Sequence, residues 1–146
     1  MPLTLVSHSW TGLGELDARV EALIALGYND AEIREAFRPG AELIADRWRA
    51  KVPHPGPSHP YSTGEYMEGI EIGPAEFTET GFAGLDIFTE VVNPEDGFDY
   101  PWALEFGTDK MAAQPSAQPA FDESVWEAVE LAAQALDAMI ALKTGI

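Results

Sequence analysis

Four prolines in the eight positions 53–60, Pro53-His54-Pro55-Gly56-Pro57-Ser58-His59-Pro60, divide this chain into two differently patterned parts. Proline fixes φ and carries no N–H, so this stretch can neither continue a helix nor pair inside a sheet. Residues 53–62 therefore read as an extended, exposed loop that runs into Thr63-Gly64. Upstream, the pattern is helical over about residues 13–52. Leu13, Leu16, Val20, Leu23 and Ile24 recur at three- and four-residue steps, which places them on one helix face. Gly27 suits a C-terminal cap, and Asn29 or Asp30 suits the next N-cap. A second helical stretch carries Ile33, Phe37, Leu43, Ile44 and Trp48, with a kink or break expected at Pro39-Gly40.

Downstream, residues 65–107 are expected to form antiparallel strands. Ile70 and Ile72 alternate with Glu71, and Leu85-Asp86-Ile87 alternates before Phe88 to Val92. Gly73-Pro74, Thr80-Gly81, Gly84 and Asn93-Pro94-Glu95-Asp96-Gly97 punctuate this zone as turns. Tyr100, Trp102, Leu104 and Phe106 make a period-2 stripe, which Pro101 demotes to an edge strand or a short helix. Residues 108–118 have neither period and read as an extended arm. A last helix follows over 119–143, with Pro119 in its first turn, Asp122 and Glu123 at its positive end and Lys143 at its negative end. Its apolar face is Phe121, Val125, Val129, Ala132, Leu136, Met139 and Ile140, and Gly145 stops it. Helices, then hairpins, then a helix imply a single α+β domain in which N-terminal and C-terminal helices pack on one antiparallel sheet.

A chain of 146 residues is long enough to bury a core without staples, and it contains no cysteine, so disulfides, thiolate zinc sites and thiol catalysis are excluded. Its formal charge of −17 argues against nucleic-acid recognition and against an anionic membrane surface. No apolar run reaches the ~20 residues of a membrane span, and the N-terminus lacks a basic start and long apolar core, so a soluble, non-secreted protein is expected. The acid is lopsided. Residues 1–51 hold 6 basic and 8 acidic side chains, whereas residues 52–146 hold 2 basic and 17 acidic ones. Interspersed among apolar residues, these carboxylates read as the outer face of a folded element, serving solubility or the repulsion of something anionic.

Signals of catalysis are weak. His54 and His59 lie five apart in the proline loop without a matching acidic or histidine cluster, and His8 lies near the terminus. The serines at 7, 9, 58, 62, 116 and 124 sit in no Gly-x-Ser-x-Gly elbow. No phosphate-cradling or dinucleotide-binding glycine motif is present. Carboxylates are so abundant that any acid pair is uninformative. Neither catalytic activity nor a metal or other cofactor is expected.

Backbone chemistry stands out instead. Thr63-Gly64 is expected to open the first strand, with glycine at positive φ and threonine bonding a neighbouring backbone group. Glu105-Phe106-Gly107-Thr108 closes the aromatic stripe in the same style. The arm Lys110-Met111-Ala112-Ala113-Gln114-Pro115, continuing to Gln118, is nearly uncharged, as contact surfaces tend to be.

The order of these parts resembles the neck and tail-component family of long-tailed double-stranded DNA bacteriophages over about residues 40–143. The residues that carry the likeness are Thr63-Gly64-Glu65-Tyr66-Met67-Glu68-Gly69-Ile70, then Tyr100-Pro101-Trp102-Ala103-Leu104-Glu105-Phe106-Gly107-Thr108, then Lys110-Met111 and the helix start Pro119-Ala120-Phe121. The resemblance implies a virion structural protein, a tail terminator, tail-completion or head–tail joining component, assembled in the host cytoplasm as a homo-oligomeric ring, with a hexamer expected. Its partners would be further copies of itself and the neighbouring head-closure, adaptor and tail-tube proteins. Double-stranded DNA would pass through without specific binding, and the excess of acid over residues 52–146 adds the expectation of an acidic lumen that repels its phosphates. Thr63, Gly64 and Glu105 to Thr108 would set local shape, and the segment from Lys110 to Gln118 would be the inter-subunit arm. Two other readings stand beside it: an acidic DNA mimic that blocks a nucleic-acid-binding enzyme, and a small hydrolase using a carboxylate dyad.

Overall fold

A computed structural model describes residues 3–5, 14–54, 63–74 and 85–145. The described residues form an α+β domain with nine elements: β1 (Leu3–Leu5), α1 (Gly14–Ala25), α2 (Asp30–Ala36), α3 (Arg38–Lys51), α4 (Glu65–Glu68), β2 (Ile70–Pro74), β3 (Leu85–Thr89), α5 (Tyr100–Phe106) and α6 (Ala117–Thr144).

Local chemistry accounts for the N-terminal helices. Leu16, Val20 and Leu23 are buried along α1, while Ile24, one step round the helix, is 55% exposed and leaves the expected apolar face. Gly27 at φ +94° follows the end of α1. Asn29 then caps α2 in a reciprocal box: Glu32 N–H donates to Asn29 Oδ1 at 2.9 Å, and Asn29 N–H donates to Glu32 Oε1 at 3.2 Å. The break expected at Pro39-Gly40 falls at Phe37, so that Pro39 occupies the first turn of α3, where its missing N–H is not needed. Gly40 is required by packing. A Cβ there would stand 2.7 Å from the Ala128 carbonyl oxygen, so α3 and α6 approach to backbone distance at this point.

The 28-residue α6 runs about 42 Å and unites two cores. Its N-terminal half packs Ala120, Phe121, Val125 and Ala128 with Ile44, Ala45 and Trp48 of α3, Tyr66 of α4 and Ile70 and Ile87 of the sheet. Its C-terminal half packs Ala132 and Leu136 with Leu16, Val20 and Leu23 of α1 and Ile33 of α2. Each fully buried large aliphatic side chain contributes about 1.5–3 kcal/mol. The sheet has the order β1-β3-β2 with both pairings antiparallel, in the registers Leu3↔Thr89 and Ile72↔Ile87.

Three expectations need correction. The zone 65–107 is not strand throughout: its described residues hold two strands and two helices, α4 and α5. Thr63-Gly64 does not open a strand; Gly64, at φ +84°, caps α4, and Glu65 N–H donates to Thr63 Oγ1 at 3.4 Å. The aromatic stripe takes the second of its two expected forms, a short helix, because Asp99 Oδ1 accepts the Trp102 N–H at 3.0 Å and Pro101 sits in the first turn. The last helix starts at Ala117, two residues earlier than expected. Strand β1 was not anticipated. Residues 55–62, which include His59 and most of the proline loop, and the expected turns at 80, 81 and 84 lie outside the described residues, as do His8 and the serines at 7, 9, 58 and 62.

Candidate functional site

Two of the segments singled out in the sequence converge where α4, α5 and the start of α6 meet. The organising group is Glu105, in the last turn of α5 and only 6% exposed. Its Oε1 accepts the backbone N–H groups of Ser116 and Ala117, both at 2.9 Å, and its Oε2 accepts that of Gln118 at 3.0 Å. A helix start leaves its first N–H groups without intrahelical partners and carries a partial positive charge. Here every one is accounted for: Ala117 and Gln118 donate to Glu105, Pro119 has no N–H, and Ala120 donates to the Ser116 carbonyl at 3.2 Å. Ser116 occupies the N-cap position without capping through its own side chain. The carboxylate that caps α6 therefore comes from another helix.

The chain between Glu105 and α6 is not a projecting arm. Gly107 turns it at φ +79° and ψ 173°, backbone space reserved for glycine, and a Cβ there would meet the Ala113 nitrogen at 2.9 Å and the Met111 oxygen at 3.0 Å. Thr108 N–H donates to the Met111 carbonyl at 2.9 Å and Met111 N–H returns to Thr108 at 3.3 Å, closing a tight turn through Asp109 and Lys110. Lys110 N–H also donates to Thr108 Oγ1 at 3.3 Å. Gln114 N–H then donates to the Leu104 carbonyl at 2.7 Å. The segment is thus tied back on α5 at several points, while Thr108, Lys110, Ala112, Ala113, Gln114 and Pro115 keep exposed side chains and Met111 is half-buried. Gln118, already in α6, is exposed and bonds Asp122 Oδ1 at 2.8 Å.

Thr63 and Gly64 join this unit through Tyr66, two residues on. The Tyr66 hydroxyl accepts from Trp48 Nε1 at 3.2 Å and lies 3.4 Å from Ser116 Oγ, either hydroxyl being able to donate. Its ring meets Trp48 and Tyr100 edge-on, with centroids 6.2 and 6.1 Å apart. Burial pushes the Tyr66 phenol above its ordinary range; the bonds with Ser116 and Trp48 pull the other way, and the Glu105 and Asp99 carboxylates add to the rise. Burial likewise raises Tyr100, with Glu65 adding to it. Trp48, Tyr66 and Ser116 are the site residues that sequence reading missed, since their contacts span 18 and 50 positions.

On its outer side α5 presents Trp102 and Phe106, whose rings are 4.2 Å apart. Trp102 is 46% and Phe106 58% exposed, and Phe98, just before the helix, is 52% exposed. Tyr100 and Leu104 point the other way, against the core.

The charge asymmetry is partly absorbed within the fold. Basic side chains of α1 and α3 pair with acids of α6: Arg19 with Asp137 at 2.7 Å, Arg47 with Glu127 at 2.8 Å, and Lys51 with Glu123 at 3.0 Å. Among the described residues, the exposed acids of the middle region, Glu65, Glu68, Glu71, Glu90, Glu95, Asp96 and Asp109, form no ion pair. A groove of about 680 Å³ between α3 and the sheet is lined by Arg38, Glu42, Asp46, Arg49, Glu71 and Phe88 among others. Its arginines are already engaged, Arg38 with Glu35 and Arg49 with Asp46 and the Ile70 carbonyl.

Among the described residues no nucleophile and base are paired. Ser124 Oγ accepts from Arg47, and His54 Nε2 lies 2.7 Å from the Arg49 carbonyl at the end of α3. Among the described residues no three His, Asp or Glu side chains are grouped to hold a metal ion, and no helix is long and apolar enough to cross a membrane. No protein-family model, curated protein or solved structure matches this chain.

Proposed function

We propose that this chain is a structural protein rather than an enzyme, one that assembles with copies of itself into a ring at the neck or head-proximal end of a long-tailed phage tail. In this role it joins or terminates the tail, contacts the adjacent head-closure and tail-tube proteins, and surrounds the path of the DNA. The observation that carries the reading is the closed unit from Glu105 to Gln118. The stretch with the strongest likeness to neck and tail components is internally clasped, with its backbone tied to α5 and α6. Its exposed side chains between 112 and 115 are uncharged in a protein of net charge −17. A surface ordered in advance loses little entropy on docking, and depletion of charge is what contact cores require. The exposed acids Glu65, Glu68, Glu71, Glu90, Glu95, Asp96 and Asp109 supply a negative surface that lets DNA slide past without adhering.

A test that leaves the clasp intact is the double substitution Ala112→Glu with Ala113→Glu. Both side chains are exposed, so folding is expected to survive, while light-scattering mass should fall from a ring to a monomer. An assembly of unchanged mass would exclude this segment as the inter-subunit contact.

A further inference from the structure

The aromatic stripe outside α5 is unused by the clasp, and its surroundings specify what can cover it. Half-exposed rings of 150–250 Å² each leave roughly 300 Å² of aromatic surface at Phe98, Trp102 and Phe106, the size at which a monomer's largest apolar patch is often functional. The rings of Trp102 and Phe106 hold each other in place at 4.2 Å, so the surface is preformed. Asp96 and Asp99 bracket Phe98 and are fixed in the backbone, Asp96 by accepting the Phe98 N–H at 2.9 Å and Asp99 by capping α5. Glu95 and Asp109 lie exposed at the two ends of the stretch.

A ligand for rings set among carboxylates needs apolar side chains flanked by cations, which also interact favourably with aromatic faces. This chain has few free cations. Of its 8 Lys and Arg, Arg19, Arg38, Arg47, Arg49 and Lys51 are in internal ion pairs. Lys143 lies 5.3 Å over the Tyr28 ring, Arg34 has its Nε buried, and Lys110 belongs to the loop beside the stripe itself. A second copy, at a net charge of −17, therefore has few cations to offer the stripe.

We propose that the Phe98–Trp102–Phe106 face docks a cationic amphipathic segment of a different protein. The inference stands on the stripe and the charge ledger, and does not depend on ring formation.

The test titrates the full chain with three synthetic helical peptides of about five turns: a Lys/Leu amphipath, a Lys/Ser peptide of equal charge, and a Glu/Leu amphipath. The Lys/Leu peptide should bind about tenfold or more tightly than either other peptide, and Trp102→Ser with Phe106→Ser should abolish that advantage. Because those rings are exposed, far-ultraviolet circular dichroism should be unchanged. Glu95→Gln with Asp109→Asn, which alters only exposed side chains, should weaken binding severalfold and flatten its salt dependence. Equal binding of the Lys/Ser peptide would reduce the effect to the net charge and overturn the proposal. So would unchanged affinity in the aromatic variant, or self-association of the free protein that the aromatic variant removes.

Discussion

Glu105 Oε1 stands 2.9 Å from the Ser116 backbone nitrogen, and through this contact the end of α5 becomes the cap of α6. The same carboxylate takes the next two N–H groups, so one side chain satisfies the helix start and fixes the return of the intervening loop. A bond to a charged group is worth about 1.5–3 kcal/mol, and the positive end of the helix adds a further fraction. Glu105→Ala should destabilise the fold by about 3 kcal/mol in urea denaturation, since two buried donors and one part-buried donor lose their acceptor. Glu105→Gln keeps an acceptor without the charge and should cost about half as much. Equal stability of all three proteins would show that the clasp is incidental.

Gly107 should tolerate no side chain. Its backbone lies in a region open essentially to glycine alone, and a Cβ would press on the backbone of Met111 and Ala113. Gly107→Ala is expected to cost about 2–3 kcal/mol, combining the conformational penalty with displacement of the loop. Amide hydrogen exchange at Gln114, whose N–H bonds the Leu104 carbonyl, should accelerate more than exchange in α1.

The helical parts of the chain were legible because their signals are local. The three- and four-residue spacing of Leu16, Val20 and Leu23, and the apolar series from Phe121 to Ile140, both face the core. Asn29 and Glu32 form the box that their spacing announces. The α5 stripe left an edge strand and a short helix both open, and the helix is what forms. Residues two apart share one face of a strand, whereas in a helix they fall about 200° apart. The helix therefore splits the stripe, with Tyr100 and Leu104 facing the core and Trp102 and Phe106 facing outward. Asp99 and Pro101, a cap followed by a first-turn proline, were the signals that distinguish the two. Strand β1 is three residues long, too short to show a period. The reach from Glu105 to Ser116 follows no spacing rule, because folding of the loop sets it.

Alkaline pH should weaken the fold through Tyr66. The buried phenol holds its proton above the ordinary tyrosine value of about 10. Above that pH the unfolded chain releases the proton while the folded chain retains it, so the native state binds more protons and stability falls as pH rises. Below about pH 10 this group leaves stability unchanged. Tyr66→Phe should cost about 1–3 kcal/mol at neutral pH, because the buried Trp48 Nε1–H loses its acceptor. The variant should also lose less stability on going to high pH, with Tyr100 supplying the remaining slope. Parallel pH profiles of the two proteins would place the alkaline sensitivity elsewhere.

Ring formation is best tested by the molar mass of the purified chain, read by light scattering over a concentration series with negative-stain images of the same fractions. The expected result is a discrete mass several times the 15.9 kDa of one chain and a closed ring with a central hole. A single-chain mass at every concentration, with no ring in the images, would contradict it.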